Sequence, residues 1–269
     1  NKDEKYDQEK IPEGELALSK ACDLYFGIAD PKDKDLPAIK FKAAFIYYKH
    51  NHFVEAAKRY FEMIERWPGT SLSRKAANLI LDSLNVQKKW DDLAFYAEKF
   101  RDNKKLVKKD KKFKKEVQTL LEGATYLSIQ EAEVAARKKT DEEVKEQELA
   151  GVATRFASFQ KRFPESKFAD KAVYSSVLIY NQADELDNAI AAAELLKKDY
   201  PKSELTQKND WLLAKFYERI ADFDTSAKAY LAYYDEYPKD KNAPDALYNA
   251  ALYYQGLGET KKAIKYFDK

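Results

Sequence analysis

Prolines recur along the chain at a fixed step of 37 residues. The step separates Pro31 from Pro68, and further along the chain it separates Pro164 from Pro201 and Pro201 from Pro238. The series is interrupted at Lys105, which stands one step after Pro68. A period of this length is typical of stacked helical hairpins, each of which buries its apolar face against its neighbours. We therefore expect a repeat protein without a single central core.

Aromatic residues keep the same register. Two sets recur without gaps at the 37-residue step: Tyr174, Trp211 and Tyr248, and Tyr180, Tyr217 and Tyr254. Within one repeat, apolar residues between 172 and 183 and between 186 and 200 follow helical spacing. The short connector at 183–185 requires the two helices to run antiparallel. The second helix ends at an aromatic-proline pair such as Tyr200-Pro201, because proline cannot donate the next helical hydrogen bond.

Composition agrees with an all-α chain. Charged residues make up 35% and hydrophobic residues 45%, which suits amphipathic helices, and strand-type alternation is absent. The net charge of +2 gives no general attraction to nucleic acid or to an anionic membrane. The sequence contains no run of about 20 apolar residues, the length that a helix needs to span a bilayer.

These segments resemble the tetratricopeptide repeats. The resemblance rests on the helix-to-helix spacing, the small residues Ala189 and Ala263, the closing prolines and segments such as Tyr200-Pro201-Lys202-Ser203. The segments are similar to the variant of this repeat found in bacterial envelope proteins of the Tol-Pal system and of the outer-membrane barrel assembly machinery. The resemblance implies a right-handed α-solenoid.

The resemblance further implies a non-catalytic scaffold or adaptor for other proteins. Its expected location is the periplasm or the outer-membrane surface, with the cytoplasm as the alternative. The other functional interpretation is a targeting or self-association repeat domain of a larger regulatory or enzymatic protein. No cofactor and no nucleic-acid partner are expected, and the sequence does not indicate an oligomeric state.

One stretch departs from the period. Pro68 and Pro164 are 96 residues apart, which exceeds two periods by 22 residues. The surplus predicts one elongated hairpin over about 108–163, with helices over about 108–138 and 141–162. It is expected to project from the solenoid between about residues 126 and 150.

The sequence predicts two regions. Residues 1–12 are a charged linker or frayed end, and residues 13–269 form a single continuous solenoid. Because Pro31 is in register, Glu13 to Ile28 is expected to be the second helix of a repeat. The interrupted repeats at both ends suggest a fragment of a longer protein.

Residues with catalytic or metal-binding chemistry are few. His50 and His52 lie two apart in a predicted turn, and neither an H-E-x-x-H motif nor a neighbouring cysteine accompanies them. We interpret them as residues of a solvated turn, with metal binding as the less favoured alternative. Cys22, the single cysteine, is interpreted as a buried structural thiol. The chain is not expected to be an enzyme.

The first helix of each repeat is expected to line a concave groove that binds a partner protein. The predicted groove residues are Phe41, Phe45, Tyr48, Asn78, Tyr174, Trp211, Lys215 and Tyr248. Large rigid rings can contact an extended or helical peptide at low entropic cost. The alternative for any single ring is that it packs against a neighbouring helix.

Lysines cluster at the interruption of the period. We name the following group the lysine patch: Lys108, Lys109, Lys111, Lys112 and Lys115. The patch is either a solvated start of a helix or a docking surface for an acidic protein or membrane. Phosphate binding by lysines is favourable through counterion release, but Phe113 is the single aromatic residue among them.

Overall fold

The computed structural model describes residues 6–108 and 110–269, so Lys109 and residues 1–5 of the predicted linker lie outside the described residues. In the described ranges the chain forms helices and no strands, which confirms the all-α prediction. The helices are α1 (Glu13–Ile28), α2 (Leu36–Lys49), α3 (Phe53–Arg66), α4 (Ser71–Val86), α5 (Trp90–Asp102), α6 (Lys104–Val107), α7 (Lys111–Arg137), α8 (Glu142–Arg162), α9 (Ala169–Gln182), α10 (Leu186–Asp199), α11 (Thr206–Arg219), α12 (Phe223–Glu236), α13 (Ala243–Gly256) and α14 (Thr260–Phe267).

The chain divides into two compact units, Asn1–Ser128 and Ile129–Lys269, and α7 continues from the first into the second. In the first unit, consecutive helices from α1 to α6 pack on one another, and α2 also contacts α4. In the second unit, consecutive helices from α8 to α14 pack in the same manner. Within each unit, the helices thus stack as expected of a tetratricopeptide-like solenoid. A single continuous solenoid over 13–269 stays a prediction.

The core of the second unit combines alanines with tyrosines. Ala214, Ala227 and Ala250 are fully buried, and Tyr230 and Tyr233 are 0% and 2% exposed. Small side chains let neighbouring helices approach closely, and the rings fill the space beside the crossings.

The turns inside the ordinary hairpins share one backbone geometry. The residues at positive φ are Asn51, Lys88, Asp184, Ala221 and Gly258. Positions 51 and 88 are 37 residues apart, as are 184, 221 and 258. The amide that follows each of these residues donates to the carbonyl five residues earlier, as His52 does to Tyr47 at 2.9 Å. Each first helix therefore ends with a left-handed residue that turns the chain back.

The second helices end as the proline pattern predicts. Trp67, Phe163, Tyr200 and Tyr237 follow the last helical residue, with φ between −132° and −123°. Helix α5 differs, since Asn103 follows its last helical residue and no proline comes after it. The side chain of Asn103 accepts a hydrogen bond from Leu106 N and starts the single turn of α6. This turn occupies the interruption at Lys105.

The elongated helices lie close to their predicted bounds. Helix α7 has 27 residues and α8 has 21, whereas most other helices have 14. The side chain of Asp141 caps α8 by accepting from Val144 N at 3.1 Å. Lys139 and Glu148 form an ion pair of 3.0 Å beside the connector. Projection of this hairpin stays a prediction.

The histidine turn and the segment before α1 differ from the sequence interpretation. His50 is 8% exposed, and its Nε2 lies 2.8 Å from Glu15 Oε2, so the prediction of a solvated ring is wrong for this residue. His52 Nε2 donates to Glu9 O at 2.8 Å, and Asn51 donates to Asp7 O at 2.9 Å. Residues 7 to 9 are therefore hydrogen-bonded to the α2–α3 turn and are not a frayed end.

Cys22 is half-buried in α1, which is less buried than predicted. It lies on a helix that packs on α2 along one side. This position accounts for the partial burial of its thiol.

Candidate functional site

Three aromatic rings form a ladder along α2 in the first unit. Phe41 and Phe45 are stacked with ring centroids 6.2 Å apart, and Phe45 and Tyr48 are stacked at 6.0 Å. Residues four and three apart on a helix lie on one face, so the spacing 41, 45, 48 produces the ladder. We name these residues the α2 ladder. Phe45 is 42% exposed, so part of its ring lies at the surface.

The ladder is joined to α4 by a hydrogen bond. Tyr48 donates its hydroxyl hydrogen to Asp82 Oδ2. Burial of the ring, followed by the hydrogen bond to Asp82, raises the pKa of Tyr48 well above its ordinary value. The phenol therefore stays protonated at neutral pH and holds Asp82 at the edge of α4.

A cleft of about 760 Å³ lies beyond Asp82, between α4 and α7. We name it the α4–α7 cleft. It is lined by Asn78, Leu79, Leu81, Asp82, Asn85, Lys112, Lys115, Glu116, Thr119 and Leu120. Leu79 and Leu120 are half-buried, and Leu81 is 1% exposed. The cleft thus combines an apolar interior with exposed amides on one wall and lysines on the other.

The start of α7 is attached to α4 and α5. Asp110 forms an ion pair of 3.2 Å with Arg74 and accepts from Phe113 N at 2.9 Å. Arg101 of α5 donates to Gln118 of α7 at 3.3 Å. These contacts fix the wall of the cleft that carries the lysines.

The structure brings two sequence predictions together in this cleft. Asn78 comes from the predicted groove, and Lys112 and Lys115 come from the lysine patch. Lys108 and Lys111 are also exposed, whereas Lys109 is outside the described residues. Sequence reasoning treated groove and patch as separate. The interruption at Lys105 could have indicated that they belong together. It places α7 at the position of the first helix in the repeat that follows α4 and α5.

The predicted groove residues of the second unit are partly used in packing. Trp211 lies 5.4 Å from Tyr230 and 5.3 Å from Tyr233 between ring centroids, and Lys215 Nζ lies 5.6 Å from the Trp211 ring. Trp211 thus follows the alternative interpretation, packing on the neighbouring helix α12. Tyr174 is half-buried, and this burial raises its pKa.

Tyr248 is the open ring of this set. It is 56% exposed and makes an edge contact with Phe267 at 5.8 Å. Leu252, one turn further along α13, is 38% exposed. Together Tyr248 and Leu252 give α13 an exposed apolar surface.

Residues 6–108 and 110–269 contain no group of three His, Cys, Asp or Glu side chains arranged to hold a metal ion. The described helices include none with the length and apolarity needed to cross a membrane.

A family model matches the C-terminal segment of the chain. The family model described as Tetratricopeptide repeat matches residues 245–269, which cover nearly all of α13 and α14. The hairpins α9–α10 and α11–α12 repeat the turn geometry of this matched segment at the 37-residue step. The match and the repeated hairpins together support a tetratricopeptide-repeat protein, a class that generally mediates protein–protein interaction. No curated protein matches the chain.

Proposed function

We propose that the protein is a non-catalytic scaffold or adaptor that recruits another protein through the first helices of its repeats. The observation that carries this proposal is the surface of the first unit, where the α2 ladder adjoins the α4–α7 cleft. The exposed Phe45 ring beside an apolar cleft supplies contact area, and the polar rim supplies specificity. Tyr248 offers a second exposed contact in the other unit.

We place this scaffold in a bacterial envelope complex. The segment around Tyr200-Pro201-Lys202-Ser203 supports this proposal through its resemblance to envelope repeat proteins. Fractionation of cells that express the full reading frame tests it. Recovery with periplasmic or outer-membrane markers is expected, and recovery with cytoplasmic markers would contradict it.

Site-specific photo-crosslinking in the native cell tests the scaffold function. A photoreactive amino acid replaces Phe45 or Tyr248, and in a matched control it replaces Val54, which is 75% exposed on the second helix α3. We expect a crosslinked partner from position 45, position 248 or both, and none from position 54. Crosslinks from position 54 alone, or equal crosslinks from all three, would reject recruitment through the first helices.

Self-association is the second candidate function. Leu24 and Ile28 of α1 are 73% and 85% exposed, and large exposed apolar patches are typical of interaction sites. Sedimentation velocity over a range of concentrations tests this candidate. Concentration-dependent association that Leu24→Glu abolishes would support it, and a monomer at all concentrations would reject it.

A further inference from the structure

The α4–α7 cleft has features that select among partners. Its lysine wall carries Lys112 and Lys115, and the side chain of Lys112 is 87% exposed. Lys115 makes no ion pair within the described part of the chain, while Lys112 lies 3.7 Å from Glu116. On the opposite wall, Asp82 already accepts the hydroxyl hydrogen of Tyr48. Lys115 therefore keeps a positive charge on this wall without an ion pair to any described residue, while Glu116 offsets part of the charge of Lys112.

Both walls of the cleft are helices, and their polar residues follow helical spacing. Asn78, Asp82 and Asn85 stand at i, i+4 and i+7 on α4. The half-buried leucines Leu79 and Leu120 lie between the walls. This arrangement matches a third helix with an apolar face toward the leucines and polar edges toward the two walls.

We propose that the α4–α7 cleft binds an acidic amphipathic helix of a partner protein, whose carboxylates pair with Lys112 and Lys115. This inference rests on the proposed scaffold function and names the chemistry of its partner. The apolar interior at Leu79 and Leu120 offers no partner to phosphate groups, and no aromatic side chain lines the cleft for stacking on bases. The cleft therefore favours a protein helix over nucleic acid or a lipid surface.

The probe is a displayed library of amphipathic helical peptides of about 16 residues, long enough for four turns. Leucine is fixed along one face, and the two flanking edges vary among Glu, Gln and Lys. Selection on the wild-type protein is expected to enrich Glu along one edge. Enrichment of Lys, or no preference among the three residues, would overturn the proposal, and so would failure to enrich any helix.

Charge reversal locates the bound peptide. Lys112→Glu with Lys115→Glu is expected to weaken the selected peptide by about tenfold or more, because attraction becomes repulsion at the contact. The matched control, Lys202→Glu with Lys239→Glu, changes net charge equally at exposed lysines of the second unit, which do not line the cleft. It is expected to weaken binding by less than about twofold, as for distant exposed charges. Equal losses in the two variants would overturn the assignment to the cleft.

Two further measurements test the occupant. A proline in the middle of the selected peptide is expected to abolish binding, since it breaks the helix. Retained binding would overturn a helical occupant. Acidic vesicles or single-stranded DNA that bind through Lys112 and Lys115, with no peptide selected, would also overturn it. Crosslinks from position 45 or 248 would survive those outcomes, which separates failure of this inference from failure of the scaffold function.

Discussion

Equivalent repeat positions serve different purposes in the two units. Asn78 in the first unit is exposed and lines an open cleft, whereas Trp211, at the same position of its repeat, packs on two rings of α12. Tyr248, again at that position, is largely exposed. The comparison teaches that position in a repeat fixes the direction of a side chain but not whether a neighbouring helix covers it.

The largest effect is expected where the second unit uses its groove ring for packing. Trp211→Ala removes contacts with Tyr230 and Tyr233 and should lower the free energy of unfolding of this unit by about 2 to 3 kcal/mol. Tyr248→Ala, at an exposed ring, should lower it by less than about 1 kcal/mol. Hydrogen exchange of amides in α11 to α13 measures both. Equal effects would break the distinction between a packed and an open ring.

The different packing of Trp211 and Tyr248 decides which variants can test binding in the groove. A variant that combines Trp211→Ala with Tyr248→Ala would mix loss of folding with loss of binding. Tyr248→Ala alone is the cleaner test of partner capture in the second unit, and Asn78→Ala is its counterpart in the first.

A smaller effect is expected at the hairpin turns, where the two units are alike. Lys88→Gly and Ala221→Gly relieve left-handed backbone at φ 55° and 59° and should each raise stability by about 0.5 to 1 kcal/mol. Gly258→Ala should lower it by about 1 kcal/mol, because φ is 77° there although open space surrounds the site. Urea unfolding measures all three. A gain in one unit alone would show that the turns differ after all.

The smallest effect is expected from an ion-pair cluster near the start of the first unit. The hydrogen bond from Lys49, followed by the contact with His50, lowers the pKa of Glu15 in the folded protein. A carboxyl with a lowered folded-state pKa stabilises the fold above its unfolded pKa of about 4.3 and loses this contribution as the pH falls. Glu15→Gln should flatten the part of the fall in melting temperature that occurs as the pH drops below about 5.

The control for this prediction lies in the other unit. Hydrogen exchange in α11 to α13 should respond equally to acid in wild-type protein and in Glu15→Gln. A pH dependence of melting unchanged by Glu15→Gln would contradict the stabilising role of the cluster.

Local signals predicted the helices well. The aromatic-proline pairs mark the ends of α3, α8, α10 and α12, and the surplus after Pro68 gave the extent of α7 and α8. Proline ends a helix through its effect on neighbouring residues, so helix ends of this kind can be predicted directly from the sequence. The bounds of α1, Glu13–Ile28, followed from the register of Pro31 alone.

Contacts between residues far apart in the sequence were harder to predict. His50 reaches Glu15, 35 residues earlier, and no pattern around the histidine indicates that contact. The α4–α7 cleft depends on the lysines of α7 lying opposite Asn78, and the broken period hides this equivalence. Coverage of Trp211 depends on ring positions in α12, which the repeat register does not specify.

The position of Trp211 has a practical consequence. The chain has three tryptophans, and Trp67 and Trp90 belong to the first unit. Replacing those two with phenylalanine leaves one indole emitter, seated against Tyr230 and Tyr233. Its tryptophan fluorescence then reports on the second unit alone. Quenching titrations can be interpreted without a tryptophan signal from the first unit.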